Sequence, residues 1–216
     1  MIKLLRKEIL LTMHPTVPIM LLLVPMVLIP NYPYSVIFFY MTLAIFFTCL
    51  TGRENADVIY SMTLPIAKKD IVKGRFAFAI LVELLQLIFL IPFILLRGQI
   101  NSAPNAVGME ANLVLLANGF IVFGLFNWIF FSTYYKDVSK VGMSFVKASA
   151  VLFLWVVVEV CATYAIPFVR EYLDTTEGKY LSYHLMMLVI GILIYSLLTG
   201  VTLHLSLLNF DKQNIQ

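Results

Sequence analysis

The chain has 216 residues, of which 61% are hydrophobic and only 12% are charged, and its net charge is +3. A soluble domain covers its surface with about 25% charged residues, so this composition excludes an ordinary water-soluble protein and indicates one whose outside meets lipid. The small net charge gives no reason to expect a nucleic-acid partner.

Six apolar segments are long enough to cross about 30 Å of hydrocarbon, which takes roughly 20 helical residues. In chain order they run approximately over 13–30, 34–50, 76–96, 112–131, 144–169 and 185–207. The sequence therefore predicts an all-α membrane protein with six transmembrane helices in a single domain over 1–216. Only Asn31, Tyr32 and Pro33 separate the first two segments, so these two should form a tight hairpin.

The stretch 1–13, ahead of the first span, has an amphipathic pattern. Its apolar residues recur at helical spacing, at Ile2, Leu5, Ile9 and Met13. Because Lys3 and Lys7 point away from this stripe, the pattern predicts an interfacial helix that lies flat on the inner leaflet. A straight extension of the first span is the alternative, since three leucines fall outside the stripe.

The distribution of Lys and Arg predicts the orientation of the chain. With the N-terminus inside, twelve of the 15 basic residues lie in or beside cytoplasmic segments, and only Arg97, Arg170 and Lys179 remain outside. Short loops rich in Lys and Arg stay on the cytoplasmic side. We therefore predict that both ends of the chain are cytoplasmic.

The loop 52–75, between the second and third spans, is polar and rich in charge. Val58, Ile59 and Met62 provide one apolar stripe for a short helix. Pro65 would end that helix, and a second helix would then continue into the third span. This pattern predicts a cytoplasmic elbow of two helices that suits docking to a soluble partner. An ordinary positive-inside loop that only anchors two spans is the alternative.

Several polar side chains fall inside the predicted spans. Gln86 shares a helix face with Glu83, three residues away, and Glu159 lies in the fifth span. A charge at the centre of a span costs about 2.5–3.5 kcal/mol, so we expect these side chains to line a translocation path or bind a cationic part of a cargo, or else to pack between helices. Ser196 and Gly200 form a small-xxx-small pair, which favours close helix approach.

The loop sequence resembles the loop after the second span of small ABC-2 type transporter permeases. It reads Glu54-Asn55-x-Asp57-x-x-Tyr60, then Leu64-Pro65-Ile66-x-Lys68-Lys69, then Ile71-Val72-x-x-Arg75. That family has a Glu-Asn-x-Asp segment, a Leu-Pro-[Ile/Val] step and a basic helix before the third span. Length, spans, topology and an N-terminal Lys-Glu pair, here Lys7-Glu8, are also similar. The family commonly has Ser or Thr where Ala67 stands here.

The resemblance implies a role for this segment and a set of partners. The loop 52–75 would be the coupling segment that docks onto a separate ATP-binding subunit, through Glu54, Asn55, Asp57, Tyr60, Lys68 and Lys69. ATP and Mg²⁺ would be held by that ATPase, present in two copies, with no cofactor on this chain. The sequence accordingly has no G-x-x-x-x-G-K-[ST] phosphate loop. A second permease copy or a paralogue would complete the transporter in the bacterial cytoplasmic membrane.

The chain further resembles the permeases that export phenol-soluble modulins, which are short amphipathic peptide toxins, and bacteriocin and lantibiotic immunity permeases. The resemblance therefore implies an ATP-driven exporter of amphipathic or hydrophobic cargo, with Glu83, Gln86 and Glu159 on its path, and no enzymatic activity of its own. An ion-coupled secondary transporter and a membrane scaffold without a path are the alternatives. An intramembrane protease is disfavoured because the sequence has neither H-E-x-x-H nor G-x-S-x-G.

Overall fold

The computed structural model describes residues 2–100, 105, 107–176 and 178–212. Over these residues the chain is helical and contains no strand, which confirms the all-α prediction. The α-helices are α1 Ile2–Lys7, α2 Thr16–Leu21, α3 Ser35–Glu54, α4 Asp57–Thr63, α5 Lys68–Ile100, α6 Leu113–Tyr134, α7 Val141–Ala165 and α8 Leu181–Asp211.

Five helices in the described part of the chain are long and apolar enough to cross a membrane: α3, α5, α6, α7 and α8. The N-terminal region supplies a sixth candidate span only if Ile2–Thr12 and Thr16–Leu28 are taken together, and these two segments meet at 93°. The predicted multi-span helical architecture is therefore confirmed, with five or six spans.

The first predicted span, 13–30, is not one continuous helix. Helix α2 is only six residues long, and the chain continues as a 3₁₀ helix over Val24–Leu28. At 1.5 Å per residue, a helix over 16–28 covers about 20 Å, less than the hydrocarbon thickness of about 30 Å. Prolines cause this irregularity, because each removes a backbone donor and fixes φ; they stand at 15, 18, 25 and 30.

The N-terminal helix turns sharply into this short segment. Helix α1 continues as a π-helical turn over Glu8–Thr12, closed by a bond from the Met13 amide to the Glu8 carbonyl at 2.8 Å. The 93° bend then excludes a straight extension of the first span. A right-angle bend of this kind is the geometry that an interfacial helix followed by a span requires.

Helix α6 is the centre of the bundle. It packs against α3, α5, α7 and α8, and most of its side chains are buried on all sides. Helices α7 and α8, by contrast, bury only one side, and apolar side chains such as Phe153 and Leu197 are 69% and 66% exposed on their outer faces. Such faces are expected against lipid or another membrane chain, where apolar exposure carries no cost.

The close approach between α6 and α8 depends on glycines that the sequence interpretation did not select. A Cβ at Gly191 would lie 2.6 Å from the carbonyl oxygen of Ala117, whereas a Cβ at Gly200 would meet nothing within 4 Å. Ser196 is exposed as well. The expectation that Ser196 and Gly200 bring helices together is therefore wrong for packing within this chain, because their face of α8 is turned outward.

Replacing Gly191 with alanine tests this crossing. Gly191→Ala should destabilise the bundle by about 1–3 kcal/mol, because the added methyl group meets backbone that cannot move aside by a rotamer change. The measurement is the midpoint of thermal unfolding in one detergent.

Gly200→Ala is the matched control on the same helix, and its better helix propensity should stabilise the protein by up to about 1 kcal/mol. Equal midpoints for the two variants would contradict the close crossing at Ala117.

Candidate functional site

The two helices predicted on either side of Pro65 are present. Helix α3 ends at Glu54, α4 follows over Asp57–Thr63, and α5 begins at Lys68. A corner of two residues joins α3 to α4, and Ala56 in that corner has a φ of 52°. This left-handed conformation costs an alanine about 1–2 kcal/mol. After this corner, Asp57 contacts Lys7 of the N-terminal helix and Arg75 of α5.

Asp57 belongs to a cluster of four charged side chains, Lys7, Glu8, Asp57 and Arg75, which we call the ionic cluster. Arg75 Nη2 lies 2.7 Å from Asp57 Oδ2, and Arg75 Nε lies 2.9 Å from Glu8 Oε2. Lys7 Nζ lies 2.5 Å from Asp57 Oδ1 and donates to the Ser61 hydroxyl at 2.8 Å. Two cations and two anions make the cluster neutral.

The ionic cluster connects three separate parts of the chain. Lys7 and Glu8 come from the N-terminal helix, Asp57 from α4 and Arg75 from the first turns of α5. The side chains of Glu8 and Arg75 are only 3% and 4% exposed. Because a charge buried without its partner costs several kcal/mol, the cluster holds these three segments in one arrangement.

The family resemblance implied Asp57 as a docking residue, and the structure places it in the ionic cluster. Its side chain is 12% exposed, and each of its carboxylate oxygens contacts a cation of the same chain. Its contacts are therefore internal, and they attach α4 to the rest of the protein.

Four of the other five predicted docking residues are exposed. The side chain of Glu54 is 60% exposed, Tyr60 is 60% exposed, and Asn55 and Lys69 are exposed as well. Lys68 is partly buried. We call the accessible surface around α4 the elbow face; it comprises Glu54, Asn55, Ile59, Tyr60, Leu64 and Lys69.

The sequence pattern placed Ile59 with Val58 and Met62 on one apolar stripe, but the structure exposes Ile59 and buries Val58. Val58 is 8% exposed, but Ile59 is 50% exposed and Leu64 is 38% exposed. The elbow face therefore combines exposed apolar side chains with charged ones. Exposed apolar groups rimmed by polar residues are typical of a protein–protein contact surface.

Glu83 and Gln86 lie between helices. The Tyr195 hydroxyl donates to Glu83 Oε2 at 2.7 Å, and Asn127 Nδ2 donates to the same oxygen at 3.1 Å. Gln86 Nε2 donates to the Ile37 carbonyl at 2.9 Å. Both side chains are fully buried. These contacts match the alternative interpretation, in which polar groups pack between spans, and the path-lining role of the two residues stays a prediction.

Glu159 forms a second, separate polar centre. The Ser35 hydroxyl lies 2.6 and 2.7 Å from its two carboxylate oxygens, and Asn118 Nδ2 donates to Oε2 at 2.8 Å. Trp155 Nε1 donates to the Asn118 side-chain oxygen at 2.8 Å. Glu159 is 7% exposed and borders a pocket of about 160 Å³ between α6, α7 and α8.

A folded loop cap covers this pocket. The Asn112 side chain caps α6 by accepting from the Val114 amide at 2.8 Å, and it donates to the Leu173 carbonyl at 2.7 Å. The Glu110 amide donates to Asp174 Oδ1 at 2.6 Å. Burial raises the pKa of Asp174 to about 6; the Glu110 amide acts against this shift, and the negative charge of Glu110 adds to it.

Sequence reasoning missed the contacts that join these residues. The Lys7-Glu8 pair and Arg75 carried signals, since they are charges beside apolar spans, but no pattern paired them with Asp57. Asn118 carried a signal as a polar residue inside a predicted span, for which packing between helices was the better interpretation, whereas Ser35 and Trp155 carried none. The three residues come from three different helices, and only the packing brings them to Glu159.

Comparison with known proteins yields one match. A sequence model of the family described as ABC-2 family transporter protein matches residues 3–210. No curated protein and no solved structure matches the chain. The matched region contains the ionic cluster, the elbow face, Glu83 and the Glu159 centre.

Removing Arg75 tests the ionic cluster. Arg75→Ala should lower the free energy of unfolding by about 3–5 kcal/mol, because it leaves the carboxylates of Glu8 and Asp57 short of a cation in a dry site. The change is read from the thermal midpoint of the purified protein.

Arg53→Ala is the matched control. Its side chain is 40% exposed and lies 3.8 Å from Glu54, so its loss should cost less than about 1 kcal/mol. Similar losses for the two variants would show that the cluster does not hold the segments together.

The raised pKa of Asp174 predicts a pH dependence of stability. The folded protein binds this proton up to about pH 6, whereas an unfolded Asp releases it near pH 3.9. Stability should therefore fall as the pH rises from about 4 to about 6 and stay level above that range. Asp174→Asn keeps an acceptor for the Glu110 amide but cannot ionise, so it should flatten this slope and raise the thermal midpoint at pH 7.

Asp211→Asn, at an exposed position in α8, should keep the slope of the unmodified protein. If Asp174→Asn also kept the pH dependence of stability seen in the unmodified protein, burial of Asp174 would not be the source of that dependence.

Proposed function

Because the chain belongs to the ABC-2 family of transporter proteins, we propose that it is the permease subunit of an ATP-binding-cassette exporter. It couples ATP hydrolysis by a separate ATPase to the export of an amphipathic or hydrophobic cargo, such as a cytotoxic peptide. Members of this family are membrane components of ABC transport systems, and the apolar helices make this chain a multi-pass membrane protein. ATP and Mg²⁺ bind to the ATPase.

The elbow face is the surface that docks onto the ATPase in this proposal. It combines exposed apolar groups, such as Ile59 and Tyr60, with the carboxylate of Glu54. Aromatic and aliphatic anchors surrounded by polar groups are typical of protein interfaces. A short helix held rigidly at one end presents these anchors in a fixed geometry, which lowers the entropic cost of binding.

The ionic cluster then transmits the movement of the ATPase into the membrane. The single observation that carries the proposal is that Asp57, on the docking helix, contacts both Arg75 of α5 and Lys7 of the N-terminal helix. Helix α5 has 33 residues and is therefore about 50 Å long. A push on α4 thus reaches the far end of the bundle through one continuous helix, as in rigid-body allosteric transitions.

The active transporter contains two such chains and two ATPases in this proposal, in a bacterial cytoplasmic membrane. The apolar outer faces of α7 and α8 support this assembly. Ser196 and Gly200 lie on an outer face, and small residues on a membrane helix allow a second helix to approach closely.

Binding of the ATPase tests the docking surface. The chain is co-purified with a candidate ABC ATPase, and the dissociation constant is measured in detergent. Glu54→Lys combined with Tyr60→Ala should weaken binding at least about tenfold, because both anchors lie on the elbow face. Glu171→Lys, an exposed acid outside the elbow, is the control and should leave binding unchanged.

Asp57→Asn separates docking from transmission. It should keep the ATPase bound but lower ATP-driven cargo export by reconstituted vesicles, because Asp57 lies in the ionic cluster and not on the elbow face. If the variant with Glu54→Lys and Tyr60→Ala still bound the ATPase with unchanged affinity, the elbow face would not be the docking surface. Export that does not require ATP would favour an ion-coupled carrier instead.

A further inference from the structure

The pocket beside Glu159 is an apolar chamber with one acid in its wall. Its lining includes Met109, Trp155, Val158, Ala162, Leu173 and Met187. Val158 is 57% exposed, so the pocket opens at the surface of α7. Glu159 lies six residues before the end of α7, about 9 Å from that end. In the layout with both termini inside, this position is in the outer half of the membrane.

The carboxylate of Glu159 has donors but no cation. Ser35 and Asn118 supply its hydrogen bonds, and within the described residues, 2–100, 105, 107–176 and 178–212, it forms no ion pair. These two donors stabilise the charged carboxylate, yet a buried charge still costs free energy unless an opposite charge completes it. The pocket therefore favours a ligand that combines a positive charge with an apolar body.

The dimensions of the pocket limit the size of that ligand. The pocket has a volume of about 160 Å³. Sites for drug-sized molecules take roughly 300–1,000 Å³. The pocket can thus hold a single anchoring group of a larger cargo.

The walls and the cap favour an alkylammonium group in particular. Trp155 lines the pocket, and an indole face attracts a cation. Flexible Met109 and Met187 side chains adapt to an alkyl stem. Met109 and Leu173 line the pocket, and Glu110 and Asp174 are the residues that come next to them in the sequence. Their carboxylates would repel the phosphate that accompanies the ammonium of a phospholipid headgroup.

We infer that the pocket beside Glu159 binds a primary ammonium group on a short apolar stem, and that its occupant in the transporter is a lysine side chain of an amphipathic cargo. Glu159 forms the ion pair, and Trp155 and the methionines hold the stem. The assignment of a cargo lysine to this pocket rests on the proposed export function. This assignment restricts the proposed cargo to cationic amphipathic substrates.

Binding of n-hexylammonium by the full-length chain in phosphatidylcholine nanodiscs, without any ATPase, tests this site. The chain has two tryptophans, so Trp128→Phe leaves Trp155 as the only fluorescent reporter in the pocket. In this background, n-hexylammonium should bind at least about tenfold more tightly than n-hexanol, which has the same stem without the charge. Tenfold corresponds to about 1.4 kcal/mol.

Two variants and one control assign this preference to the pocket. Glu159→Gln should abolish the preference for the ammonium over the alcohol while keeping an acceptor for Ser35 and Asn118. Ala162→Phe should fill the pocket and weaken binding of both probes. Glu171→Gln, which removes an exposed outer charge, should leave both affinities unchanged.

Equal affinity for the two probes, or a preference that persists in Glu159→Gln, would overturn the inference. Replacing half of the lipid with phosphatidylethanolamine should leave hexylammonium binding unchanged. A loss of affinity that depends on Glu159 would mean that a lipid headgroup occupies the pocket, and would overturn the assignment to cargo. Since the assay contains no ATPase, failure of the docking experiment would not affect its result.

Discussion

The guanidinium of Arg75 lies between two carboxylates in a place that water barely reaches, and the arrangement of this end of the helix bundle depends on that contact. A charge so enclosed must be paired, or it destabilises the fold by several kcal/mol. Arg75 is paired with Glu8 from the N-terminal helix and with Asp57 from α4. Two short helices that could not be stable alone are thereby attached to α5, which runs the length of the bundle.

The two acids inside the spans follow the same physical requirement with neutral partners. Each carboxylate receives donors from other helices, Glu83 from Asn127 and Tyr195, and Glu159 from Ser35 and Asn118. In a medium without water, such bonds connect helices as well as satisfying the charge. The two centres differ in their surroundings, since Glu83 is enclosed by helices and Glu159 borders a pocket.

The sequence patterns predicted the elements more reliably than the faces those elements present. Apolar runs longer than 20 residues have one stable form in lipid, so α5, α6, α7 and α8 were predictable. Pro65 likewise marked the boundary between α4 and α5. The first span was mispredicted because hydropathy does not register how four prolines disrupt a helix. Ile59 is exposed although it was placed on one apolar stripe with the buried Val58, and Gly200 meets no other helix among the described residues although it was expected to favour close approach. For α8, which is apolar nearly all round, the sequence gives no periodic signal of which side is buried.

Composition and the order of apolar and charged segments were sufficient to determine that this chain is a multi-span helical membrane protein and to reveal its family. These properties depend on local transfer free energies, which a sequence carries residue by residue. The tertiary structure decided which charges meet. Lys7, Asp57 and Arg75 are far apart along the chain but meet in the ionic cluster. Glu159 meets Ser35 only because α3 and α7 pack against each other and against α6. Such pairings follow from the packing of whole helices, and no single segment contains the information that specifies them.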